Sequence, residues 1–520
     1  MTTAVEQPPT RRRDRFMKNV LWSWLGVATS LITGLWLSPF IIIKLGDEAY
    51  GIWALVFSFL EYYWLLDLGF RSATLKYAAH YRATGEDDKV NEVINTGLAY
   101  SSAIAVLMLI LTFMLSGYAN RFFRISDEYL NVFTVLVAMV GSGWAVGSIF
   151  NLFSAVVEGY QRFDITSRIW ISTIALRTVG LVAVLWLGYR LRAMAAVVLA
   201  TLALGYFLNY VTLRGVFPPL RFSISSMRFS MFRQMLAYGV HTCVAAIGGQ
   251  VLNQGAPLLL GHFLPTAFVG YFALPVRLLR YSVDMVCKVG SVTGASAAEM
   301  AAKGEYSAVY DMGLYVNRYC LALFSPLALA LCLYGREFLQ LWIRPEFAMQ
   351  SAPIIPVIAV CTTLGIAGQF NSSSILYGLG KHRGYAYSLL VEAILGMIAM
   401  YLAIPRYGIM GAAWITSVLM VLNRGVFTSW LFSEGVGRNF GGYLWGIYAG
   451  PILTAIPAFV AVWWIKLHWL PGRTWAEVLT GMGLLAIMYY GLGFFICLKK
   501  EHQSISWRWV QSRLHGGSAV

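Results

Sequence analysis

Charged residues at helical spacing lie in a stretch that is otherwise apolar enough to span a membrane, residues 268 to 298. Four of them follow one another at intervals of three or four positions, namely Arg277, Arg280, Asp284 and Lys288. At 100° per residue, this spacing confines them to about one 80° arc of a helix. Arginine grips phosphate oxygens with two parallel hydrogen bonds, and lysine acts as a point charge. The pattern therefore predicts a cationic helix face that suits a diphosphate.

A second charged stretch lies in the first half of the chain, between residues 49 and 79. It contains Glu61, Asp67, Arg71 and Lys76, which one continuous helix would spread over roughly half of its circumference. Asp67 and Arg71 stand at i, i+4, a spacing at which opposite charges pair. We expect Arg71 to contribute to diphosphate binding, and we expect gating or ion coupling from Glu61, Asp67 and Asp284. The spacing does not select between H⁺ and Na⁺.

The depth of these charges in the membrane argues for a function. If the later span begins near Thr266 on the outer side, Arg277 lies about 16 Å along the helix, close to the bilayer midplane. A charged side chain there costs roughly 2.5 to 3.5 kcal/mol on insertion scales, so we expect it to face protein or water. Arg318, about two turns into the ninth predicted span and without an obvious acidic neighbour nearby, joins the predicted diphosphate ligands. The structural alternative is that these cations only pair with nearby carboxylates.

The elements that must position these residues are membrane helices. Of 520 residues, 58% are hydrophobic and only 12% are charged, whereas a soluble globular domain carries about 25% charged residues. Each apolar run is long enough to cross the roughly 30 Å hydrocarbon core, which takes about 20 helical residues. The sequence therefore predicts an all-α integral membrane protein with about 14 transmembrane helices. The two charged stretches are spans 2 and 8 in this prediction.

The chain also repeats itself. Leu45–Leu55 aligns with Leu264–Leu274, and the same shift places Gly159 on Gly378. The repeat unit contains six spans, and because six is even, both copies begin on the same side as parallel repeats. We expect spans 2 and 8 to face each other across a central cavity. The predicted organisation is two six-helix lobes followed by two C-terminal helices, at residues 1–222, 223–440 and 441–520.

Basic residues set the predicted orientation. Arginines and a lysine between residues 11 and 18 precede the first span, and the predicted inner loops hold more basic residues than the outer loops. Both termini are therefore expected in the cytoplasm. The net charge of +15 is explained by this bias and by contact with anionic lipids, and no stripe or motif indicates nucleic acid. The basic and aromatic link Arg214–Arg233 is expected along the inner membrane surface, with a plain linker as the alternative.

Several motifs resemble those of a known family. GDEAYGIWAL, LLDLGFRSATLKYAA, EGYQRFDI and GLGKHR resemble motifs of the polysaccharide-biosynthesis exporters, which include the Wzx-type O-antigen flippases, and the likeness spans residues 16–435. These exporters belong to the multidrug/oligosaccharidyl-lipid/polysaccharide (MOP) superfamily. The resemblance implies alternating access that moves an undecaprenyl-diphosphate-linked oligosaccharide from the inner to the outer leaflet of a bacterial inner membrane. It also implies ion-gradient coupling, with a polysaccharide polymerase and chain-length machinery as candidate partners.

Two other functions compete with this prediction. A membrane glycosyltransferase, ligase or polymerase acting on lipid-linked sugars would need outer-loop carboxylates such as Asp47 and Glu48, but every predicted outer loop is short. A small-molecule exporter of the same superfamily is the second alternative, although a cavity for cationic drugs should be acidic. No P-loop, zinc motif or nucleophile elbow occurs. We therefore expect a transporter without a cofactor rather than an enzyme.

Overall fold

Helices dominate the secondary structure of this chain. The computed structural model describes residues 9–290, 293–369 and 371–504, and within these ranges it contains helices and no strand. Ten of the described helices are long and apolar enough to cross a membrane, or eleven when the bent pair Pro345–Ser351 and Ile354–Gly365 counts as one span. The predicted all-α membrane architecture is confirmed, and these helices are compatible with fourteen spans.

The chain forms two compact units, Met1–Gly270 (unit 1) and Tyr271–Val520 (unit 2). The described part of unit 1 contains these complete α-helices: α1 (Pro9–Leu45), α2 (Asp47–Leu60), α3 (Phe70–Thr84), α4 (Asp87–Phe122), α5 (Asp127–Gly159), α6 (Phe163–Trp186), α7 (Leu191–Val216) and α8 (Phe229–Phe263). The last of these packs against α2, α3 and α4. The lobe boundaries predicted from the duplication, at residues 222 and 440, stay a prediction.

Unit 2 begins within the first turns of α9. Its helices are α9 (Ala267–Gly290), α10 (Thr293–Ala302), α11 (Tyr306–Trp342), α12 (Pro345–Ser351), α13 (Ile354–Gln369), α14 (Ser372–Gly378), α15 (Arg383–Met420), α16 (Thr428–Gly435), α17 (Phe440–His468) and α18 (Trp475–Ile496). A π-helical segment, Val421–Phe427, joins α15 to α16. The run Arg383–Gly435 has 53 residues, about 80 Å of helix, which is far longer than one span requires. Its backbone breaks at Gly408, with φ 57° and ψ −141°, so the run accommodates two spans.

A buried polar cluster in unit 2 stabilises the interruption between α13 and α14. Asn317 of α11 donates from Nδ2 to Ser372 Oγ at 2.9 Å and to the Tyr443 hydroxyl at 2.8 Å. Its Oδ1 accepts the backbone N–H of Asn371 at 3.1 Å. An unsatisfied backbone group in hydrocarbon costs several kcal/mol. Asn317 therefore supplies a partner at the point where the regular helix is interrupted.

Candidate substrate and coupling site

The helix predicted for span 2 is broken, and the stretch long and apolar enough to cross a membrane ends at Asp67. A 3₁₀ segment, Glu61–Asp67, follows α2, and α3 begins only after Leu68 and Gly69, whose φ values are 46° and 76°. The prediction of one continuous helix over residues 49–79 is therefore wrong, and so is the helical-wheel spread calculated for its four charges. Glycine adopts a positive φ without the steric cost of a Cβ, which explains Gly69 at this turn.

Tyrosine hydroxyls hold the broken segment against α4. Tyr63 and Thr112 exchange a hydrogen bond of 2.5 Å. Tyr100 of α4 donates to the carbonyl of Leu66 at 2.7 Å, which satisfies a backbone acceptor that a continuous helix would have used. These bonds supply partners for polar groups at the point where the regular helix is interrupted.

Arg71 pairs with a carboxylate that its own stretch of sequence does not contain. Its Nη2 donates to Glu158 Oε1 of α5 at 2.7 Å and to Oε2 at 2.8 Å. Asp67 instead accepts the backbone N–H of Arg71 at 3.2 Å, in the first turn of α3. The i, i+4 spacing thus brings Asp67 and Arg71 together, but through the backbone. The guanidinium of Arg71 is neutralised by Glu158 in this conformation.

Helix α8 contacts the break at both of its ends. The Gln254 side chain donates from Nε2 to the carboxylate of Glu61. A Cβ added at Gly239 would lie 3.2 Å from the carbonyl carbon of Gly69, so the backbones of α8 and the turn are in close approach there. Unit 1 therefore gathers Glu61, Asp67 and Arg71 around one interruption, covered by α8.

The charged stripe of span 8 lies on a single helix. Arg277, Arg280, Asp284 and Lys288 all fall within α9, Ala267–Gly290, so the predicted helical spacing is confirmed. Arg277 and Arg280 are half-buried, whereas Asp284 is exposed. The backbone of Lys288 belongs to α9, but its side chain lies outside the described residues. The stripe thus keeps two arginines one helical turn apart.

Arg318 belongs to a different environment in unit 2. Its Nε donates to the carbonyl of Gly446 on α17, and its guanidinium carbon lies 5.2 Å from the ring centre of Tyr315. One residue later, the Tyr319 hydroxyl and His502 Nδ1 are 2.6 Å apart, beyond the end of α18. These contacts place Arg318 against α17, next to Tyr319, which contacts the segment that follows α18. Its predicted role as a diphosphate ligand stays a prediction.

Unit 1 also contains an apolar cavity. It encloses about 790 Å³ between α4, α5 and α7, and none of its lining residues is charged. The Tyr206 hydroxyl in its wall donates to the carbonyl of Gly143 at 3.4 Å. Because a diphosphate needs cationic or hydrogen-bonding partners, this cavity is not the candidate substrate site.

Comparison with known proteins gives the charged helices a context. A family model described as polysaccharide biosynthesis protein matches residues 16–327. This chain belongs to that family. Relatives of this chain are matched over most of their length. This chain is 23% identical over 507 residues to the Bacillus subtilis (strain 168) membrane protein EpsK, and the match covers 93% of this chain and 96% of EpsK. It is 19% identical over 430 residues to a Shigella flexneri protein named as an O-antigen transporter, covering 80% and 98%.

Solved structures share the fold of this chain. The lipid II flippase MurJ in an inward closed conformation matches with a TM-score of 0.69 and 11% identity, over 92% of this chain and 98% of that chain. An inward-facing multidrug resistance MATE family transporter of the MOP superfamily matches with a TM-score of 0.61 and 14% identity, over 79% and 95%. At these identities the likeness shows the fold alone. The chain therefore has the fold that these two transporter structures share.

The sequence did not reveal one charged cluster in this polysaccharide biosynthesis protein. Glu392 of α15 is buried, and its Oε2 accepts from Asn423 Nδ2 at 2.7 Å and from Arg424 Nε at 3.3 Å. Asn423 and Arg424 lie in the π-helical segment, a deviation that often occurs at functional sites. The adjacent Asn-Arg pair was a weak signal. Nothing in its spacing identified the carboxylate partner on another span.

Proposed function

We propose that this member of the polysaccharide biosynthesis family flips an undecaprenyl-diphosphate-linked oligosaccharide from the inner to the outer leaflet of a bacterial inner membrane. The observation that carries the proposal is the stripe of Arg277 and Arg280 on one uninterrupted helix. Two arginine forks a turn apart match the oxygens of a diphosphate better than they match a neutral or cationic drug. Lys288 on the same helix, and Arg318, would add positive charge along the path of the headgroup.

In this proposal Arg71 changes partner during transport. Glu158 neutralises its guanidinium in the present conformation. An arriving diphosphate competes with that carboxylate, because phosphate oxygens accept the same charge-assisted hydrogen bonds. When the diphosphate takes the place of Glu158, the contact between Arg71 and α5 is broken, so substrate binding changes the packing of α5. Arg71 thus links capture of the headgroup to a rearrangement within unit 1.

Glu61, Asp67 and Asp284 are the proposed gating or coupling carboxylates. Glu61 is bonded to Gln254 of α8, and Asp67 to the first turn of α3, so a change of charge at either would loosen the contacts around the break. An intramembrane carboxylate is costly to keep ionised, and such groups recur in proton and ion relays. The coupling ion is either H⁺ or Na⁺. Both termini are proposed to lie in the cytoplasm, as the basic inner loops favour.

Reconstitution tests the transport activity directly. Proteoliposomes containing only this protein and a fluorescent lipid-linked oligosaccharide should show transfer of the sugar between leaflets. Replacing Arg277 or Arg280 by Ala should slow the transfer between leaflets at least about ten-fold, since a hydrogen bond to a charged group contributes about 1.5 to 3 kcal/mol. Normal flipping by both variants would overturn the diphosphate role. Transfer of sugar to an acceptor would favour the glycosyltransferase alternative.

A second intramembrane arginine offers a matched control. Arg177 lies within α6 and donates from Nε to Thr201 Oγ1 at 3.1 Å. Arg177→Ala removes the same charge and volume from a membrane helix outside the proposed substrate path. This variant should therefore flip the lipid-linked oligosaccharide at the normal rate when equal amounts of inserted protein are compared. A loss equal to that of Arg277→Ala would mean that any intramembrane arginine is needed for folding.

A further inference from the structure

The connection between α7 and α8 is an ordered segment, which we call the strap (residues 217–228). Phe217 and Leu220 are buried and belong to a hydrophobic core that also contains Val90 and Ile94 of α4. The strap is therefore anchored on its inner side. Its exposed apolar side chains therefore belong to an ordered segment.

Two asparagines of α4 bind the strap backbone in a ladder. Asn91 donates from Nδ2 to the carbonyl of Pro219 at 3.1 Å and accepts the N–H of Arg221 at 2.8 Å. Asn95, one turn later, donates to the carbonyl of Arg221 at 2.8 Å and accepts the N–H of Ser223 at 2.9 Å. Each amide thus uses both its donor and its acceptor on the strap. This ladder fixes which side chains of the strap point away from α4.

The outer side of the strap is apolar. Ile224 is 82% exposed and Phe229, the first residue of α8, is 80% exposed. Phe222 and Met227 are exposed as well. A contiguous exposed apolar patch on a protein marks a site of interaction with another surface. Because the strap directly follows α7, which is long and apolar enough to cross a membrane, the surface that it meets is the membrane interface.

Basic residues flank this apolar patch. The chain from residue 214 to residue 233 contains Arg214, Arg221, Arg228 and Arg233 and no acidic residue. All four arginines are exposed. The nearest carboxylate contact is a long one, between Arg228 Nε and Glu92 Oε1 at 3.8 Å. Apolar side chains between guanidinium groups are the composition of segments that lie in the headgroup region of an anionic membrane.

We propose that the strap with its flanking arginines is a docking site for anionic phospholipid headgroups. Ile224 and Phe229 insert between acyl chains, and the arginines bind the lipid phosphates above them with charge-assisted hydrogen bonds. The charge of the lipid then affects the strap, which connects α7 to α8. This inference does not depend on which substrate the protein carries.

Hydrogen exchange of the full-length protein in nanodiscs tests the proposal. One set of discs contains phosphatidylcholine alone, and the other contains phosphatidylcholine with phosphatidylglycerol. Amides of residues 224–230 should exchange more slowly in the anionic discs. Each arginine near a charged surface contributes about 1 kcal/mol, a factor of about five, so Arg221→Gln/Arg228→Gln should lower the protection by more than ten-fold. Equal exchange of the unmodified protein in both discs would overturn the proposal.

Three further variants assign the cause of any change. Arg221→Lys/Arg228→Lys keeps the charge and should retain most of the protection in anionic discs. Arg190→Gln/Arg192→Gln removes two arginines at the start of α7, the opposite end of that helix from the strap, and should leave strap exchange unchanged. Ile224→Ser/Phe229→Ser should reduce protection without abolishing its dependence on lipid charge. Protection that is lost only in this last variant, and equally in both discs, would reduce the strap to an uncharged membrane anchor and refute the lipid specificity.

Discussion

The guanidinium of Arg71 on α3 lies 2.7 Å from the carboxylate of Glu158 on α5, although Asp67 is much closer in sequence. Asp67 accepts a backbone N–H in the first turn of α3 and so stabilises that helix end. The two carboxylates therefore have different functions. Asp67 accepts from the backbone beside the interruption, and Glu158 pairs with the guanidinium of Arg71.

Removing Glu158 should destabilise unit 1. Loss of one partner of a fully buried ion pair costs about 3 to 5 kcal/mol, but the Arg71 side chain is 31% exposed, so we expect about 1 to 2 kcal/mol after solvent screening. Thermal unfolding of purified Glu158→Ala should show a lower midpoint. The double variant Arg71→Ala/Glu158→Ala should recover part of the loss, because no unpaired charge is left. Losses that simply add would contradict the pairing.

A methyl group at Gly239 should disturb the break in span 2. The new Cβ would press against the backbone of Leu68 and Gly69, and overpacking of this kind costs about 1 to 3 kcal/mol. We expect Gly239→Ala to slow flipping and to lower the unfolding midpoint. Gly249→Ala, on the same helix, is the matched control, since a Cβ at this position would meet no other atom within 4 Å. Equal behaviour of the two variants would show that the contact with α8 is unimportant.

Charge at Glu61 or Asp67 should be needed for ion coupling. Glu61→Gln and Asp67→Asn keep a side-chain oxygen for their present hydrogen bonds but cannot change protonation state. We expect at least one of them to flip substrate at a rate independent of an imposed H⁺ or Na⁺ gradient, whereas the unmodified protein responds to one of the two. Flipping in proteoliposomes with each gradient in turn measures this. A full gradient response in both variants would assign coupling to other residues.

Local spacing predicted part of this site and could not predict the rest. The stripe on α9 was predictable because its residues share one uninterrupted helix, where position fixes direction. The break in span 2 was not, because the segment EYYWLLD is apolar and aromatic enough to pass as helix. Only Gly69 signals the turn. The pairing of Arg71 with Glu158 joins residues 87 positions apart, a distance on which helical periodicity carries no information.

The cluster on the π-helical segment should dominate the stability of unit 2. The side chains of Arg424 and Glu392 are only 15% and 2% exposed, so removal of one partner leaves a buried charge at a cost of about 3 to 5 kcal/mol. Glu392→Ala should therefore lower the thermal unfolding midpoint more than any other single variant considered above. Glu299→Ala provides the control, because its pair with Lys303 is exposed and contributes about 0 to 1 kcal/mol. Replacing both buried partners, as in Glu392→Leu/Arg424→Leu, should restore the midpoint, since apolar residues of similar volume need no partner. If the double variant unfolds as early as Glu392→Ala, the cost arises from lost packing rather than from the unpaired charge.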